Sequence, residues 1–109
     1  MPKYLFHVNY VGEGIKGLLK EGGTKRRAAA DQAFASVGGS IDAMYYAFGD
    51  TDLFVIGDMP DQASTVALAL TLNASGALTV RTTPLVSMED MDEASRKSPT
   101  YRPPGSSSS

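Results

Sequence analysis

The chain has 109 residues, a formal net charge of −2 and no cysteine. That length accommodates one compact domain and excludes two. The missing cysteine excludes disulfides, thiol chemistry and thiolate metal sites, and the acidic balance argues against a nucleic-acid partner, which would need a basic face to neutralise phosphates. Met1-Pro2-Lys3 leads directly into an alternating pattern rather than the apolar stretch of a signal peptide, and no apolar run approaches the length that crosses a bilayer. The expectation is a cytoplasmic chain with no membrane partner. Much of the apolar fraction is alanine, so the large core candidates are few: Phe6, Phe34, Tyr45, Tyr46, Phe48 and Phe54.

Lys3–Tyr10 alternates Tyr4, Phe6, Val8 and Tyr10 against Leu5, His7 and Asn9, the period-two pattern of a strand. Gly12-Glu13-Gly14 breaks it. Ile15, Leu18 and Leu19 then stand at helical spacing, and Gly22-Gly23 should end or kink that short helix. Thr24 is placed to cap a second helix through Ala28, Ala29, Ala33, Phe34 and Val37, stopped by Gly38-Gly39. Lys25-Arg26-Arg27 fans around that helix instead of forming one patch. It reads as a solvated helix end, with an anion contact as the sharper alternative.

Ile41–Phe48 and Leu53–Ile56 carry the β-branched and aromatic residues that suit a pleated surface, and Gly49-Asp50 between them fits a type II′ hairpin turn. Pro60 suits the first turn of a following helix, with Asp58 or Met59 near its cap and Asp61 at its positive end. Ala63, Val66, Ala67, Leu70 and Ala74 form a single stripe expected to face a sheet. Ala77–Val86 is a last strand, with Leu78 and Val80 opposed to Thr79, Arg81 and Thr83, and Pro84 confines its far end to an edge or bulge. Met88–Lys97, acidic at its start and basic at its end, reads as a short helix. The domain is therefore expected over residues 1–97, and the Pro, Gly and Ser composition of residues 98–109 predicts a flexible tail.

The element order β-α-β-β-α-β predicts an α+β, ferredoxin-like fold: a four-stranded antiparallel sheet with two helices on one face. In the hairpin, Ile41, Ala43 and Tyr45 oppose Met44, Tyr46 and Phe48, and Leu53 and Val55 oppose Phe54 and Ile56. Neither face of these strands is polar. A second cover is needed, and the expectation is a homodimer or higher homo-oligomer joined through the open sheet face as a dimeric α/β barrel.

Five segments resemble the GYD domain family. They are Tyr10-Val11-Gly12-Glu13-Gly14; Gly38-Gly39; Tyr45-Tyr46-Ala47-Phe48-Gly49-Asp50-Thr51-Asp52; Asp58-Met59-Pro60-Asp61; and Arg81-Thr82-Thr83-Pro84-Leu85. Thr51 stands where the family's name has tyrosine, and Val11 where threonine is usual. The resemblance implies the ferredoxin-like, dimeric barrel fold and supplies no reaction.

The chemistry-bearing candidates are few. His7 is the only histidine and so the only side chain whose ordinary pKa lies near neutrality, which makes it the catalytic candidate. A hydrogen-bonded structural role is the plainer reading. Asn9, Tyr46 and Arg81 are candidate ligand contacts, with Arg81 as anion clamp; the plainer role for Arg81 is an ion pair with Asp52 or Asp58. Gly49, Asp50 and Asp52 mark the turn, where aspartates commonly bond their own backbone. No spacing of donors suggests a metal, and no phosphate loop or nucleophile motif suggests a cofactor. The leading reading is a small-ligand-binding or assembly module. The alternative is a cofactor-free isomerase or oxygenase acting on a small carboxylated compound.

Overall fold

The computed structural model describes residues 1–105; the Ser-rich end of the expected tail, 106–109, lies outside the described residues. The elements are β1 (Lys3–Tyr10), α1 (Gly14–Ser36), β2 (Ser40–Tyr46), β3 (Leu53–Asp58), α2 (Gln62–Ala74), β4 (Leu78–Leu85) and α3 (Met88–Ser95). The four strands pair antiparallel in the order β2-β3-β1-β4. This is the ferredoxin-like arrangement predicted from the element order. Pro84 falls on β4, an edge strand, where its missing N–H does not interrupt an inner ladder.

The register assigns the faces. Phe6 lies opposite Val55 and Thr82, and Val8 opposite Leu53 and Val80, so these residues share the side that α1 and α2 cover. Phe6, Val8, Phe34, Leu53, Val55, Met59, Leu68, Leu78 and Val80 are all buried there. Phe6 meets Phe34 edge-on with ring centroids 4.9 Å apart, a geometry that aligns the positive edge of one ring with the negative face of the other. Leu5, His7 and Asn9 of β1, Phe54 and Ile56 of β3, and Thr79, Arg81 and Thr83 of β4 occupy the other side.

Five local expectations are corrected. First, β2 does not alternate evenly: a register shift between Ile41 and Ala43 lets Ile41 lie opposite Gly57 while Met44 lies opposite Val55 and Tyr46 opposite Leu53. The bulge thus puts Ile41, Met44 and Tyr46 on the helix side. It also leaves Asp42 to reach Lys3, which Asp58 contacts at 3.0 Å.

Second, the hairpin is not a two-residue type II′ turn. Gly49 is absent from the positive-φ residues, β2 stops at Tyr46, and the Ala47 N–H donates to the Asp52 carbonyl at 2.8 Å across a wider loop. Phe48, expected in the core, projects fully into solvent, and Tyr45 is also exposed.

Third, α1 is continuous from Gly14 except for a break at Gly22, where φ is 79° and ψ 170°. Only glycine adopts such a conformation cheaply, so the expected kink is present, but Thr24 lies inside the restarted helix and is not a cap.

Fourth, Asp61 is itself the N-cap of α2: its carboxylate accepts from the Ser64 N–H at 2.7 Å, and Pro60 precedes the helix. Fifth, α2 is rotated relative to the expected stripe. Thr65 and Leu68 are buried, with Leu72 packed against the core, whereas Ala63, Val66, Ala67, Leu70 and Ala74 face outward. Asn73 helps set that rotation. Its Oδ1 accepts from the Val80 N–H at 2.9 Å while its Nδ2 donates to the Ala69 carbonyl at 2.8 Å, tying the helix to β4.

Candidate functional site

The open side of the sheet carries both candidates with charge or acid–base capacity. Because β1 and β4 pair with His7 opposite Arg81, their side chains emerge next to each other. The alternation Leu78-Thr79-Val80-Arg81 sends the two apolar residues into the core and the arginine to the open side. Arg81 has no ion-pair partner among the described residues, so the expected pairing with Asp52 or Asp58 is not made. Asp58 is taken by Lys3, and Asp52 by β1. The His7 ring meets Phe54 edge-on with centroids 5.3 Å apart, and its Nε2 lies 3.5 Å from Thr83 Oγ1. An imidazole, a guanidinium and a hydroxyl are thus grouped over apolar ground formed by Leu5, Phe54 and Ile56. Such a group can accept a carboxylate on the arginine and move a proton at the histidine.

Asn9 shares this side, but it holds backbone. Its Oδ1 accepts from the Asp52 N–H at 2.8 Å, and Asp52 Oδ2 accepts from the Tyr10 N–H at 2.9 Å. This reciprocal clamp fastens the end of the hairpin loop to the end of β1. The Asp52 carboxylate therefore bonds another strand, not its own turn. Gly49 and Asp50 are exposed at the loop's outer end. Among the described residues no group of three or more His, Cys, Asp or Glu side chains is placed to hold a metal.

Tyr46 is not with His7, Asn9 and Arg81. It lies on the helix side, its ring stacked on Tyr10 at an interplanar angle of 20° and its hydroxyl 3.2 Å from the Tyr10 hydroxyl. Burial, reinforced by that hydrogen bond, pushes the Tyr46 phenol well above its ordinary range, so it remains protonated throughout the physiological interval.

Two residues on this side were not singled out by sequence reasoning as ligand contacts. Tyr10 closes the β1 alternation and opens the Tyr10–Gly14 segment, and neither signal marks a ligand contact. Arg26 belongs to the basic run read as a solvated helix end. Arg27 does make a solvent-side pair with Asp31 at 3.1 Å, but Arg26 turns toward the sheet.

Among the described residues no helix is long and apolar enough to cross a membrane. Compared with known protein families, residues 4–95 match the model of the GYD domain. No match is found among curated proteins or among solved structures.

Proposed function

This chain belongs to the GYD domain family, and on that premise we propose that it is a cytoplasmic, homo-oligomeric binding module whose copies pair through the open sheet face around a small carboxylated ligand. The observation that carries the reading is Arg81: a cation with no ion-pair partner among the described residues, beside His7, on a face that also carries half-buried apolar side chains. Covering Leu5, Phe54 and Ile56 favours association, at about 25 cal/mol per Å² of apolar surface removed from water. The same cover would strip water from Arg81. Burying an unpaired charge costs several kcal/mol, so the enclosed arginine requires an anion. A ligand carboxylate supplies one, and the planar guanidinium can bind it through two parallel hydrogen bonds.

A second reading makes the same chamber catalytic, as in a cofactor-free isomerase or oxygenase. The adjacency of His7 and Arg81 favours it, because an anchored carboxylate would hold a neighbouring carbon-bound proton near the imidazole. The resemblance of fold alone gives this reading little support.

A thermal-shift screen of small aliphatic and aromatic carboxylic acids tests the proposal, repeated on His7→Ala and Arg81→Ala. Stabilising acids whose effect disappears in both variants, with circular dichroism unchanged, support the chamber. Loss of the oligomer in Arg81→Ala, with no acid stabilising the parent protein, would reduce Arg81 to a structural residue and sink it. Turnover of a stabilising acid, abolished in His7→Ala, would select the catalytic reading.

A further inference from the structure

Beyond β4 the chain forms a helix without burying any of it. Every residue from Met88 to Gly105 is exposed, those of α3 included. A helix this short is marginal in water when it stands alone. Its own charges oppose it further, because Glu89 precedes Asp92 and Glu93 at the i+3 and i+4 spacings where like charges repel. None of the carboxylates Glu89, Asp90, Asp92 and Glu93 has an ion pair among the described residues. Met88 and Met91 lie one turn apart on one side of the helix, with Asp92 next to them. A surface with an apolar stripe beside a basic one would satisfy both parts.

The same chain carries such a surface at the other end of the sheet. On the first turns of α1, Ile15 and Leu19 are exposed at i and i+4, and Lys16 and Lys20 flank them at the same spacing. Phe48, fully exposed on the hairpin loop, lines one hollow with Ile15 and Leu18. Lys20 has no ion pair among the described residues, and Lys16 makes only an exposed contact with Glu13 at 3.3 Å, the kind that contributes little. Single exposed apolar residues need no explanation. A cluster of them beside free positive charge marks an interaction site.

The α3 helix of the same chain cannot be the occupant. β4 starts with Leu78 opposite Tyr10 and ends with Leu85 opposite Lys3, while the head of α1 packs at the starting end, with Gly14 against Ala77. Eight residues of strand place those ends about 25 Å apart. Val86 and Ser87 let α3 begin at most about 11 Å from Leu85. We propose that α3 of one copy docks on the α1 and hairpin-loop surface of a second copy, with Met88 and Met91 against Ile15, Leu19 and Phe48 and the α3 carboxylates facing Lys16 and Lys20. One short helix buries less than a stable complex requires, so the contact saturates on the order of 1 mM. It uses neither His7 nor Arg81 and does not depend on the sheet-face association, which it joins at high protomer concentration.

The absence of cysteine allows one nitroxide to be placed on the full chain at Lys97→Cys, just past α3. Unlabelled nitroxide chain is mixed with ¹⁵N chain at about 1 mM each, the range of the expected affinity. Amide signals of Ile15–Lys20 and Phe48 in the ¹⁵N chain should broaden. Leu19→Glu in the ¹⁵N chain or Met91→Glu in the nitroxide chain should abolish the effect, and Lys16→Glu with Lys20→Glu should weaken it several-fold. Broadening should persist when both chains also carry Ile56→Lys, which separates this contact from the sheet face. The proposal is overturned by unaffected Ile15–Lys20 signals in the parent or Ile56→Lys mixture, or by broadening that survives Leu19→Glu. Equal broadening from a nitroxide on the ¹⁵N chain itself, diluted into excess unmodified chain, would also overturn it, because the contact would then lie within one copy.

Discussion

Replacing Gly57 with alanine tests the close packing of β3 against β2 and Phe34 of α1. A Cβ there would stand 2.6 Å from the Ser40 carbonyl oxygen and 2.8 Å from Phe34 Cε2. Neither neighbour can yield easily. Ser40 is backbone of β2, paired with β3 at Asp58, and Phe34 is 3% exposed with its ring held edge-on against Phe6. Overpacking of this kind costs about 1–3 kcal/mol, while the reduced freedom of the unfolded alanine chain returns about 0.4–1 kcal/mol. At mid-range values the net expectation is a destabilisation of about 1.3 kcal/mol, lowering Tm by roughly 5–10 °C for a domain of this size. Gly49→Ala is the control, since nothing lies within 4 Å of its Cβ position and its φ is not positive. Thermal melts followed by circular dichroism should be run at one protomer concentration, because assembly makes Tm concentration-dependent. A Gly57→Ala melt at or above that of the parent would refute the contact geometry.

Other expectations follow from the same packing. Leu68→Ala should destabilise by about 2–5 kcal/mol, because its side chain is buried, whereas Leu70→Ala on the outward face should stay within about 0.5 kcal/mol; urea melts showing the reverse order would restore the stripe read from sequence. At acid pH, Asp61 matters. Hydrogen bonds from Ser64 lower its carboxyl below the usual range, so its contribution is complete above the unfolded pKa near 3.8 and disappears as pH falls through the lower folded value. Asp61→Ala should therefore destabilise at pH 7 but no longer at the most acid pH where the protein folds, and a pH-independent difference would contradict this. At alkaline pH, hydrogen bonds to Asp42 and Asp58 raise the Lys3 amine above 10.5. Its contribution is complete below that value and is lost as pH rises through the folded one, so the destabilisation caused by Lys3→Met should shrink only in strong alkali.

The strand faces were legible because β1 and β4 alternate cleanly, so the opposition of Phe6 and Val8 to His7 and Asn9 needed only the period of a strand. The hairpin was harder. Asp52 is held by Asn9 and Tyr10, 43 and 42 positions away in sequence, and no local turn preference carries that information. In α2, apolar residues lie on both sides of the helix, and periodicity cannot choose between Leu68 with Leu72 and Val66 with Leu70. The choice is tied to Asn73 and its bonds to β4. The bulge at Asp42, a residue that contacts distant Lys3, likewise has no local signal, and it brought Ile41 to the helix side with Met44 and Tyr46. Arg81 was visible as a lone cation among threonines. Arg26 was hidden inside a run of three basic residues, and only packing shows which of them turns inward.

The sheet-face account rests on two copies covering Leu5, Phe54, Ile56 and the His7–Arg81 pair. Sedimentation equilibrium at micromolar protomer concentration, on the parent protein and on Ile56→Lys, measures this directly. The account predicts a dimer or a higher multiple for the parent and a folded monomer for the variant, because a lysine in the middle of the covered face would be buried without a partner. A monomeric parent, or a variant with the parent's mass, would contradict it.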